Sequence, residues 1–228
     1  MEDLMSNLIR FSYWSDPLCI WAYVAQRCHE RVLREYQGRI EVDYHVVPVF
    51  GSIPWRFRHG PWADQGYSGR ADRTREIALQ HGRPEVTGAV WRDDPPASSW
   101  APGAAIKAVF AQADSGSLSR ETAVQFQEKM RQAFFVENLN IARRAVQLQL
   151  AESLAIPRDF LEGQLDDGSA LALLWEDHIQ REALHIQGSP TYVFDGGRAQ
   201  LYGNFSVGIL LATVEQLVSG GPAGASAC

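Results

Sequence analysis

Tyr13-Trp14-Ser15-Asp16-Pro17-Leu18-Cys19-Ile20-Trp21-Ala22-Tyr23 is the stretch on which the reading of the chain turns. It ends an apolar run, Leu8, Ile9, Phe11 and Tyr13, which reads as a buried strand. Ser-Asp-Pro then turns the chain into a helix-like segment whose first turn holds Cys19. A helix N-terminus offers unpaired N–H groups and the positive end of the macrodipole. Both favour a thiolate, so a cysteine there can have its pKa drawn from ~8.5 to somewhere in ~3.5–7.5. Cys19 is therefore the candidate nucleophile; the alternative is a small apolar residue between Leu18 and Ile20.

Outward from that stretch the pattern predicts strands over 8–14 and 40–47 around a helix over 18–36, which Gly38 stops. Such a βαβ unit implies a parallel pair with a right-handed crossover. Residues 48–68 read as an aromatic loop with Phe50, Trp55, Phe57, Trp62 and Tyr67, and 82–102 as a second irregular, Pro-rich segment around a helix over 70–81. Helices follow over 103–113, 118–136, 140–154 and 168–185, with a single turn at 157–163. Residues 190–194 and 198–202 read as a hairpin across Asp195-Gly196-Gly197, and 206–218 as a last amphipathic helix.

The quoted stretch resembles the active-site opening of the DsbA-like branch of the thioredoxin superfamily, FrnE-type proteins above all, where the pattern is Ser-Asp-x-x-Cys-Pro-Trp-Cys-Tyr. This chain keeps the first cysteine, Cys19, and the Trp, Trp21. It has Ile20 for the Pro and Ala22 for the second, resolving cysteine. Gly188-Ser189-Pro190-Thr191 matches the family's second motif, in which the proline is cis and lies against the sulfur. The segments 95–102 and 133–141 are also similar to stretches of the relatives. The resemblance implies an α/β thioredoxin fold, βαβ then ββα, with a large all-helical insertion. Residues 1–50 and 186–218 would form the thioredoxin-like domain, 51–185 the insertion and 219–228 a flexible tail. Kappa-class glutathione transferases and 2-hydroxychromene-2-carboxylate isomerases share this fold but carry Ser where this chain has Cys19.

The resemblance further implies thiol–disulfide chemistry. In it Cys19 attacks, Trp21 shields the sulfur, and Ser189 and Pro190 dock an extended substrate in a strand-like way. Without a cysteine at Ala22 the mixed disulfide needs another resolving thiol. That role falls to a low-molecular-weight thiol such as glutathione or mycothiol, to a substrate thiol, or to Cys228. No tightly bound cofactor is expected. Ser15 and Asp16 are candidates to orient a bound thiol, Asp16 alternatively capping the helix; Trp55 and Arg56 are candidate substrate-binding residues, and Arg56, Arg58 and His59 are placed to meet an acidic group such as a glutathione carboxylate. Two alternatives stand beside this reading: a thiol-dependent transferase or isomerase acting on a small electrophile, and a non-catalytic binding protein.

Composition narrows the classes. A formal net charge of −6 with scattered arginines argues against nucleic acid. No apolar run nears the ~18 residues a membrane helix needs, and the N-terminus lacks a signal pattern, so a cytoplasmic protein is expected. The expected partners are a small-molecule or peptide thiol or disulfide, with a homodimer left open. The three cysteines do not make a disulfide framework. Cys19 and Cys28 lie ~13.5 Å apart along one helix, too far to pair. His178, Glu182 and His185 have metal-like spacing, but a solvated helix face is the commoner meaning, and no metal is expected.

Overall fold

A computed structural model describes residues 8–197 and 199–218. β1 (Ile9–Ser15) leads through a short turn to α1 (Ile20–Glu35), and Gly38, at φ 77°, returns the chain to β2 (Ile40–Val46). β1 and β2 run parallel from Ile9 opposite Ile40 to Ser15 opposite Val46. At the far end of the chain β3 (Thr191–Phe194) pairs antiparallel with β1 and with β4 (Ala199–Tyr202), giving the sheet order β2-β1-β3-β4. The β3–β4 turn uses Gly196 at φ 64° and Gly197 at φ 106°, values that only glycine adopts without strain. α10 (Val207–Val218) closes the unit against α1.

Register places Phe11, Tyr13, Val42, Tyr44, Tyr192 and Phe194 on one face of the sheet, all of them buried. That face shares one apolar cluster with α1 and with helices that lie between β2 and β3. These are α2 (Ile53–Arg58), α3 (Gly66–Gln80), α4 (Val90–Asp93), α5 (Trp100–Asp114), α6 (Arg120–Phe135), α7 (Arg144–Glu152), α8 (Arg158–Asp166) and α9 (Ser169–Ala183). Tyr44 stacks on Phe110 of α5, and Tyr23 of α1 stacks on Phe135 of α6. One apolar cluster therefore runs through the sheet and the helical block, and a smaller one gathers Trp14, Val47, Ile186 and Val193. A polar anchor reinforces it. Buried Asp177 of α9 accepts from the Val46 N–H at 2.7 Å and from Lys107 Nζ at 2.8 Å, and shares a 2.7 Å hydrogen bond with His45 Nδ1.

Several helix boundaries differ from the sequence expectation, each for a local reason. α2 lies inside the segment read as an aromatic loop; Ser52 caps it by accepting from the Trp55 N–H, and Pro54 fits its first turn. α5 begins at Trp100 rather than 103, because a proline in the first turn removes only an N–H that would have no partner there. The single turn expected at 157–163 is α8, nine residues long. α9 ends at Ala183, so His185, at φ 53°, does not share the helix face of His178 and Glu182 that the spacing predicts. No helix among the described residues is long and apolar enough to cross a membrane. The tail with Cys228 lies outside the described residues.

Candidate functional site

The turn between β1 and α1 is built by Asp16. Its Oδ1 accepts from the Leu18 N–H at 2.7 Å, an Asx-type turn, and its carbonyl accepts from the Cys19 N–H at 3.1 Å. Its Oδ2 reaches across the fold to the Ser99 hydroxyl at 2.6 Å and the Phe50 N–H at 3.3 Å. Its own N–H donates to Ser189 Oγ at 2.8 Å. One residue thus ties together the strand end, the loop after β2, the start of α5 and the loop before β3. Asp16 is fully buried, and burial pushes its carboxyl up to about 6 against the pull of those donors.

Cys19 is the N-cap of α1, one position before the first turn where the sequence placed it; its φ of −82° and ψ of 114° are extended, and its carbonyl accepts the first helical bond from Tyr23. Its side chain makes no cap. The Sγ instead donates to the Ser189 carbonyl at 3.2 Å, and the residue is only 4% exposed. The Ser189–Pro190 peptide is cis. A Cβ on Gly188 would stand 2.9 Å from the hydroxyl of Tyr202, an exposed side chain that would have to shift. The expectation of a lowered thiol pKa is not what this geometry gives. Burial pushes the Cys19 thiol up and the Asp16 carboxylate adds to it, while Ser189 and the backbone of Ala22 and Trp21 pull it down without prevailing.

The other expected residues divide. Ala22 is fully buried three positions along α1 from Cys19. Trp21 is 36% exposed and sets its ring edge-on to His81 at 5.5 Å. Arg56 donates to the Val49 carbonyl at 2.5 Å and lies over the Phe50 and Trp62 rings, on the Asp16 side of the site. Trp55 points away into solvent, half-exposed, with His59 as its ring neighbour. Among the described residues no group of three His, Cys, Asp or Glu side chains could hold a metal ion.

Two features escaped the sequence. One is Arg131 of α6, buried behind the site, which donates to Ser15 Oγ at 2.5 Å. The other is Arg70 of α3, enclosed by Phe50, Trp62 and Trp91. The aromatic rings were visible as an unusual density in two irregular segments. Nothing in the spacing singled out either arginine.

With this geometry in hand, a family model described as Thioredoxin matches residues 13–203. The chain belongs to the thioredoxin family. Among curated proteins it is similar to the ClpXP adapter protein SpxH of Halalkalibacterium halodurans, 25% identical over 183 residues, which cover 78% of this chain and 56% of that protein. The chain thus spans little more than half the length of that relative. Among solved structures it is similar to a probable DsbA oxidoreductase from Streptomyces coelicolor, with a TM-score of 0.71 at 16% identity over 96% of this chain and 94% of that one. It is also similar to the cytosolic disulfide reductase DsbM from Pseudomonas aeruginosa, with a TM-score of 0.62 at 23% identity over 92% and 95%. A second structure of that reductase was solved with GSH. At these identities the solved structures establish the fold, a thioredoxin fold of DsbA-like form with a helical insertion.

Proposed function

We propose that this thioredoxin-family chain is a thiol–disulfide oxidoreductase that works with one nucleophilic cysteine, Cys19. The observation that carries the reading is the 3.2 Å hydrogen bond from Cys19 Sγ to the Ser189 carbonyl, beside Pro190, with Ala22 where a resolving sulfur would stand. The Cys19 thiolate attacks a disulfide R–S–S–R′, forming Cys19–S–S–R and releasing R′–S⁻. An external thiolate R″–S⁻ then attacks the sulfur of R, giving R–S–S–R″ and regenerating the Cys19 thiolate. Glutathione or mycothiol fits the part of R″. Ser189 offers its backbone to an extended small-molecule or peptide substrate, and Trp21 borders the sulfur. The proposed setting is the cytoplasm, where free thiols keep such exchange reductive. The DsbM likeness, in fold and in its GSH-bound form, supports this choice.

The test is intact-mass detection of a glutathionyl adduct after glutathione disulfide is added to the Cys28→Ser, Cys228→Ser protein. The expected result is one adduct, lost in Cys19→Ser. The upward push on the buried thiol favours a second reading, a glutathione- or mycothiol-dependent transferase or isomerase in which the reacting sulfur belongs to the bound thiol. Thiol binding that survives Cys19→Ser, with no adduct on the parent, would select it. Neither adduct nor thiol binding would leave a binding protein.

A further inference from the structure

Arg70 is nine-tenths buried, and its guanidinium carbon lies 4.3 Å from the Trp62 ring centre, 5.2 Å from Trp91 and 5.8 Å from Phe50. Arg56 shares two of those rings, 5.3 Å from Phe50 and 5.2 Å from Trp62. The buried Arg70 Nε has no hydrogen-bond partner, and among the described residues neither guanidinium is within ion-pair distance of a carboxylate. Stacking on rings stabilises a cation only modestly, and an unpaired buried charge is expensive. Two such cations on shared rings also repel each other. Asp16 is the nearby anion, reached through the Phe50 N–H, but its oxygens are already occupied by Leu18, Phe50 and Ser99. The corner beside the Cys19 turn therefore carries two positive charges against at most one negative.

We infer that Arg70 and Arg56 form an anion subsite that holds a carboxylate of the thiol or disulfide substrate while its sulfur lies at Cys19. A guanidinium presents its donors as a fork that matches a carboxylate, and the rings hold both forks in place. The subsite favours a thiol that carries carboxylates, as glutathione does, over an uncharged one such as mycothiol. The inference rests on the proposed function only for where the ligand's sulfur lies; the binding of the carboxylate is independent of the chemistry at Cys19.

That independence shapes the test. S-methylglutathione and its dimethyl ester are titrated calorimetrically into the full-length Cys19→Ser protein, so no exchange takes place. The acid should bind about tenfold or more tightly than the ester, as expected for a lost charge-assisted hydrogen bond, and added salt should narrow the gap. Arg70→Gln should abolish the difference and Arg70→Lys should keep part of it. Should Arg70→Gln fail to fold, Arg56→Gln probes the same corner from the exposed side. Equal affinity for acid and ester, or no measurable binding of either, overturns the inference. A glutathionyl adduct on the Cys19 parent alongside equal acid and ester affinity would leave the proposed function standing without the subsite. Tight, charge-dependent binding with no adduct would do the reverse.

Discussion

Asp16 and His29 are both buried, and their charges answer pH in opposite senses. Asp16 is pushed up from 3.8 to about 6 by burial, so between those values the folded chain holds a proton that the unfolded chain has released. Its contribution to stability is therefore present at low pH and lost as pH rises through that window. At about 1.4 kcal/mol per unit, the loss is about 3 kcal/mol by pH 7. His29, stacked on Tyr13 and hydrogen-bonded to the Tyr44 hydroxyl, is pushed down from 6.5 to about 3, first by burial and then by the Arg131 charge. Here the unfolded chain binds the extra proton, so stability is present above pH 6.5 and lost as pH falls, by about 5 kcal/mol below pH 3.

Between pH 4 and 6 the two slopes nearly cancel in the native protein. Asp16→Asn removes one of them. Measured by urea unfolding from pH 4 to 7, the stability of Asp16→Asn relative to the native protein should improve by about 2.4 kcal/mol as pH rises, because the variant no longer loses stability by ionising Asp16. His29→Asn should show the opposite trend over the same range. Groups elsewhere titrate equally in native and variant protein and drop out of the difference. A relative stability of Asp16→Asn that stays constant within about 0.5 kcal/mol across the range would refute the claim that burial governs this carboxylate.

Three further outcomes follow from the geometry. Alkylation of Cys19 by iodoacetamide, in the Cys28→Ser, Cys228→Ser background, should have its pH inflection at or above the ordinary thiol value; an inflection near pH 6 would mean that the helix terminus outweighs burial after all. Gly88→Ala should destabilise the protein by about 2 kcal/mol or more in urea unfolding, since the residue sits at φ 73° and its new Cβ would meet the Ala71 carbonyl oxygen at 2.4 Å; native-like stability would place that contact wrongly. Asp177→Ala should cost about 3–5 kcal/mol by the same measurement, because it strands Lys107 beside the Val46 N–H and His45; a loss below about 1 kcal/mol would show the anchor to be dispensable.

Much of the fold was legible because local chemistry and tertiary structure agree. The apolar run of β1, the stop at Gly38 and the glycines of the β3–β4 turn each specify one backbone outcome, and the fold follows from their order. The helical block was legible as helices but not at its ends. Ser52 as a cap and Pro102 in a first turn are compatible with loop or helix until packing chooses. The site was half legible. Cys19 and Ser189 stand out by motif, and they meet at 3.2 Å. What the motif could not convey is burial, which reverses the expected push on the thiol. Nor could it convey the company Asp16 keeps, because Phe50 and Ser99 lie 34 and 83 residues away in sequence. Arg70 was invisible for the same reason: its three rings come from two separate segments, and none is a sequence neighbour.

Burial, the largest influence on Cys19, and the acceptor its thiol has found both favour the protonated sulfur. A carbonyl oxygen can accept from a thiol but has nothing to offer a thiolate, so the bond to the Ser189 carbonyl favours the protonated sulfur, against the downward pull of the Ser189 side chain. The N–H groups of Trp21 and Ala22 act the other way, and they remain in place whatever occupies the site. A substrate that donates a backbone N–H to the Ser189 carbonyl therefore competes with the thiol for that acceptor. It removes a partner of the protonated form and leaves the helix terminus acting on the sulfur. A peptide-like disulfide can do this and a simple dialkyl disulfide cannot, because only the former carries an N–H beside its sulfur. On the proposed function, docking at Ser189 also loosens the proton on the sulfur, and the buried resting thiol is compatible with a nucleophile that reacts once its substrate is aligned.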